Sequence, residues 1–307
     1  MHPPLPVLSS RSYHMTRRCI DGQHLLDPDD PKLNEGLLYL LAEAAKHCDV
    51  QILWLSVQRD RISYGLDDLH GHYPDFLARF HHHAAKLVNR LRGRRGSLWE
   101  SSEQTEVVEC LDAQGTFNEM ISALAKPVAD QLVDRAGHWP GLSSLRAQLR
   151  DDTLMLYRPK WLTKGESKLP EIVSIRFKRP PDHRDLDEGT WRRKLITAIK
   201  AEEQKAADER LRTGRRSLGR KAIRRGTPPA GASHRGTTPK PRPRRRPRRY
   251  AASGDPRMRD AAIARILRFQ LAYARALAAY RNGNREIIFP DGTWKLFHDG
   301  HVARHLD

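Results

Sequence analysis

Histidine combines metal ligation with proton transfer near neutral pH, and three histidine groups in this chain have spacings that invite a chemical reading. His70 and His72 flank Gly71. Two strand residues at i and i+2 would point the same way, but Gly71 gives such a strand no core contact, and the step reads as a loop before a helix. His81, His82 and His83 are consecutive on a helical stretch, so they point in three directions and are expected in solvent. His298, His301 and His305 have helical ligand spacing, yet Gly300 interrupts them and they read as a tail. Tyr64 is a potential nucleophile on a strand, where it faces the core with Ile62. Cys19, Cys48 and Cys110 form no C-x-x-C pair and are expected as buried thiols.

The other chemistry-bearing feature is charge. The formal net charge is +18, but residues 210 to 249 hold 16 of the 55 lysines and arginines and none of the 37 acidic residues. Residues 1 to 150 hold 17 basic and 19 acidic residues. The front of the chain therefore has no global cationic field, and its affinity for a polyanion must come from local patches. The segment "PKPRPRRRPRR", 239 to 249, is suited to following phosphates in an extended form with little sequence demand.

The elements that must position these residues alternate between strands and helices. "RSYHMTRRC" (11 to 19), "VQILWLSV" (50 to 57), 61 to 66 and "TEVVECLD" (105 to 112) read as strands. Helices are expected from about Pro31, from Tyr73, and from a Thr116/Glu119 capping box. The order predicts an α+β fold with helices on one face of a mainly antiparallel sheet, over residues 1–150. Residues 151–212 read as a strand and helix extension, 213–254 as a disordered Arg/Pro-rich linker, and 255–307 as a helix followed by a hairpin at "REIIFPDGTWKLF". No apolar run is long enough to span a bilayer, and the amino terminus lacks a leader pattern, so a cytoplasmic protein without membrane association is expected.

In this order, "RSYHMTRRC", "YPDFLARFHHHAAKLVNRLRGRRGSLW" and "KPVADQLVDRAGHWPGLSS" (126 to 144) resemble the REP-associated tyrosine transposases, single-strand DNA transposases of the HUH superfamily. "IIFPDGTWKL" resembles the tail of a long-tailed branch. The resemblance implies a ferredoxin-like core, a His-hydrophobic-His strand holding Mg or Mn, and a helix tyrosine that attacks a DNA phosphodiester. Carried onto this chain, the two strand ligands fall on Arg61 and Ser63, the nucleophile on Ser122 and a further ligand on Lys126. Cations repel a divalent metal, and a serine without a base is a poor nucleophile. The expectation is a DNA-binding protein without metal, cofactor or transposase turnover.

Its ligand would be single-stranded or hairpin DNA, with a homodimer compatible with the family. The expected phosphate contacts are Arg17, Arg18, Arg90, Arg92, Arg94 and Arg95, together with Arg242, Arg244, Arg245, Arg246, Arg248 and Arg249 of the arm. Arg61 and Lys126 would supply positive charge where a metal once faced the phosphate. The alternatives are an active transposase with rearranged residues, and a decaying or non-specific transposase-derived protein.

Overall fold

The computed structural model describes residues 4–101, 105–162, 168–225, 249–298 and 300. Strand β1 (Arg11–Arg18) leads into α1 (Pro31–His47), whose first N–H groups are capped by Asp30 with Pro31 at the first helical position. Strands β2 (Gln51–Val57) and β3 (Arg61–Asp68) form a hairpin, followed by α2 (Tyr73–Leu91), β4 (Glu106–Cys110) and α3 (Ala113–Ala129). The sheet order β2-β3-β1-β4 is antiparallel throughout, which is the β-α-β-β-α-β ferredoxin-like arrangement. The α+β expectation is met, with a difference in the layers. Strands β2 and β4 contribute to two cores, one on each face of the sheet, so helices cover both faces rather than one.

One core places Met15, Ile62, Tyr64 and Leu66 under α1 and α2. The other places Leu53, Trp54 and Cys110 against Phe117, Met120 and Leu124 of α3. Trp54 lies flat over Gly65, the one strand position where any side chain would strike its ring. Strands β5 (Leu154–Tyr157) and β6 (Ile172–Ile175) make a separate antiparallel pair that adds Val173 and Ile175 to the first core. Helix α5 (Glu188–Thr213) adds Trp191, Leu195 and Ile199 to the second. Residues 151–213 therefore contribute to both cores of the front part of the chain.

Three local expectations are corrected. The α3 cap is Asp112, whose carboxylate accepts from the Gly115 N–H at 2.5 Å, while Thr116 and Glu119 lie inside the helix. The stretch 213–254 carries structure at its described ends, in α6 (Arg220–Arg225) and β7 (Ala251–Ala252). Strand β7 pairs in parallel with β4 and extends the sheet to five strands. Helix α7 (Pro256–Arg281), capped by Asp255 with Pro256 in its first turn, forms where a helix is expected, but no hairpin follows; after a turn at Pro290–Thr293 comes a short helix, α8 (Lys295–His298). No helix among the described residues is long and apolar enough to cross a membrane.

Candidate functional site

Where β1 and β3 turn polar residues toward α3, a chain of hydrogen-bonding groups replaces the apolar core. His14 and Thr16 share the same face of β1, and the His14 Nε2 lies 3.1 Å from the Thr16 hydroxyl. The β1/β3 register puts Thr16 opposite Ser63, and their hydroxyls meet at 3.0 Å. His14 Nδ1 faces the Glu119 carboxylate of α3 at 3.8 Å without a hydrogen bond. Trp54 stacks on the imidazole with ring centroids 5.8 Å apart. Burial pushes the His14 pKa down, against the pull of Glu119 in the other direction, so the ring is neutral at neutral pH.

Glu119 is claimed from the far end of the chain. The Arg249 guanidinium bonds its carboxylate in the two-pronged mode, at 2.7 and 2.6 Å. Burial works against the Arg249 charge, but the bonds to Glu119 and the nearby Glu106 outweigh it and the pKa is raised. Two backbone bonds fix the segment behind it: Glu109 N–H to the Tyr250 carbonyl and Leu111 N–H to the Ala252 carbonyl, both 2.9 Å. Ser253 and Gly254 then bind the Asp112 carboxylate, so the α3 cap also anchors this segment. Gly115 makes the approach possible, since a Cβ there would sit 2.7 Å from the Ala252 carbonyl oxygen.

The four positions carried over by resemblance fall around this polar face. Ser63 is in the hydroxyl chain. Ser122 is exposed on α3, one turn from both Glu119 and Lys126. Arg61 is held by Asp60 at 2.9 and 3.0 Å, and Lys126 is held by Asp130, which also accepts from the Gln58 side chain at 3.1 Å. Each of these cations is thus paired with a neighbouring carboxylate. Among the described residues, no group of three or more His, Cys, Asp or Glu is arranged to hold a metal ion.

The expected arginine contacts do not share one face. Arg17 is buried, with its guanidinium donating to the Glu100 and Ser101 carbonyls and to Thr105, so it anchors the chain before β4 rather than meeting phosphate. Arg18 is partly exposed near Asp60. Arg92 pairs with Asp30 at 3.1 Å, and Arg94 bonds Asn89 and the Ser97 carbonyl. Arg95 is exposed, while Arg90 donates to the Leu162 carbonyl at 2.9 Å. Arg90, Arg92, Arg94 and Arg95 belong to the end of α2 and the turn after it, on the sheet face opposite α3. There a cavity of about 500 Å³ has leucine walls and a rim that includes Arg79, Lys86, Arg90 and Lys168. Arg242, Arg244, Arg245, Arg246 and Arg248 lie outside the described residues.

The histidine readings resolve individually. His81 is buried, contrary to expectation: it meets the Tyr64 hydroxyl at 2.9 Å, and its carbonyl accepts from the Trp99 indole N–H. His70 and His72 bind Asp49 and the Cys48 carbonyl, and His298 binds Asp75, while His301 and His305 lie outside the described residues. All three cysteines are buried and free. The residues that sequence reading missed are His14, Thr16 and Glu119. The alternation of polar residues along "SYHMTR" marks the first two, but nothing local to Glu119 indicates an arginine 130 residues away.

No protein-family model matches the chain. No curated protein matches it. Among solved structures, the chain is similar to a REP-associated tyrosine transposase bound to a REP hairpin, at 12% identity and a TM-score of 0.38, over 56% of this chain and 97% of that one.

Proposed function

We propose that this chain binds DNA in single-stranded or hairpin form, along the α3 face of its sheet, and does not turn over a strand-cleavage reaction. One observation carries the reading: the block of positive charge that dominates the sequence leads directly into Arg249, which is bonded to Glu119 at the polar edge of α3. Residues 226 to 248 contribute seven lysines and arginines and no acidic residue. A strand held by those charges lies next to the His14, Thr16 and Ser63 hydrogen-bonding groups. Glu119 both fixes the root of the arm and repels phosphate from the buried His14, which confines the anion to the outer side of the face. The reading without turnover rests on residue chemistry: protonated Arg61 and Lys126 have no lone pair to offer a metal, and a serine such as Ser122 without a base is a poor nucleophile. The sheet order expected from the family resemblance supports the same reading.

The test is a gel experiment with labelled hairpin and duplex DNA. A native-gel shift of the hairpin that persists in EDTA, with no protein-linked band on a denaturing gel in manganese, is expected. A covalent band would overturn the absence of turnover and point to a transposase with rearranged residues. Loss of every shift by about 200 mM salt, for every sequence tried, would reduce the interaction to non-specific charge and favour the decaying-protein alternative.

A further inference from the structure

We infer that strand β5 is a self-complementary interface through which two copies of this chain pair. Arg158 N–H bonds the Glu171 carbonyl at 2.7 Å, and in an antiparallel ladder bonded pairs alternate with unbonded ones. The Leu156/Val173 and Leu154/Ile175 pairs are therefore the bonded ones, and the N–H and C=O groups of Met155 and Tyr157 point out of the sheet edge. Among the described residues these groups have no hydrogen-bond partner. The side chains on the outer face are also bare: Met155 is 59% exposed, Tyr157 68% and Ile172 45%. An uncharged strand, Leu-Met-Leu-Tyr, with free edge groups and an exposed apolar face is a template for pairing.

The occupant is fixed by symmetry and charge. The outward groups lie symmetrically about Leu156, so a two-fold axis there sets Met155 against Tyr157 of the partner subunit, and both such pairs exchange N–H···O bonds. The same register sets Asp152 against Lys160 of the partner subunit, twice. The salt bridges of this region go to the neighbouring Asp151, and neither Asp152 nor Lys160 has an ion-pair partner among the described residues. An acidic residue before the strand and a basic one after it favour an antiparallel copy of the same sequence and disfavour a parallel one. Leu154 and Leu156 point inward and pack on the α1/α2 core, so pairing leaves the monomer fold intact.

The full chain, free of nucleic acid, is followed by sedimentation equilibrium. A concentration-dependent dimer is expected, lost in the doubly substituted M155K/Y157K, whose far-UV circular dichroism stays unchanged because both side chains are on the surface. D152K and K160D should each weaken the dimer about fivefold, the effect of two partly exposed pairs, and D152K/K160D should restore it. In M155C/Y157C, oxidation should crosslink the dimer, the native cysteines being buried. A wild type that stays monomeric at all concentrations, or a dimer that survives M155K/Y157K, would overturn the interface. A double charge swap no tighter than the single ones would overturn the antiparallel register.

Discussion

At the scale of single residues, buried polar groups decide more than exposed charges do. His81 shows this most clearly. Burial, reinforced by the charge of Arg17, holds its pKa down to about 3, and the neutral ring hydrogen-bonds Tyr64 under α2. In the unfolded chain a histidine titrates near 6.5, so the unfolded state holds more protons at every pH between these values. Stability is full above about 6.5 and falls as the pH drops toward 3. Burial pushes His14, His83 and His183 in the same direction. Urea denaturation should show His81 alone costing about 2 kcal/mol by pH 5, and His81→Gln should flatten the pH dependence by that amount. An unchanged slope in the variant would show that His81 is accessible to protons in the folded state. Surface arginines such as Arg95 carry little comparable weight, because an exposed charge keeps its water.

At the scale of elements, the junction between α3 and β7 holds the candidate site together. The α3 N-terminus has free N–H groups, and Asp112 serves them while also binding Ser253 and Gly254. Hydrogen bonds to these groups, outweighing the cost of burial, hold the Asp112 carboxyl below its ordinary range. The fit depends on Gly115, so Gly115→Ala should force the β7 segment off the edge of β4 while α3 persists, since alanine favours a helix. Hydrogen exchange is expected to rise at Glu109 and Leu111, the residues that donate to the segment, with only a small loss of overall stability. Continued protection of both amides would mean that the strand adapts to the methyl group.

At the scale of the whole molecule, charge is separated from fold. The cores are built by segments near electrical balance, and the cationic excess lies in a stretch whose far end is fixed on the sheet. Replacing residues 226 to 248 with a glycine and serine sequence of equal length should leave thermal stability unchanged. It should also reduce the salt slope of single-stranded DNA binding by up to about 5, for seven lost cations at about 0.7 each. A slope that did not change would place the phosphate contacts elsewhere, with the α2 arginines the next region to substitute.

The sequence by itself determined the periodic elements and the separation of charge. Alternation along β1 to β4, the apolar stripes of α1, α2 and α7, and the Asp-Pro starts of α1 and α7 are local signals, and they survive packing because burying an apolar face reinforces them. The pairing of Arg61 with Asp60 was also within local reach, since the two are adjacent. Tertiary structure alone decided the rest. It buried His81, which lies on the sheet side of α2 among Tyr64, Phe80 and Trp99, and turned Arg17 inward to hold the chain before β4. It also gave Glu119 to Arg249 and added β7 to the sheet. These contacts join residues up to 142 positions apart, and no local preference encodes them. They form because the folded sheet presents an open edge and a carboxylate that need partners, and the segment after the basic arm supplies both.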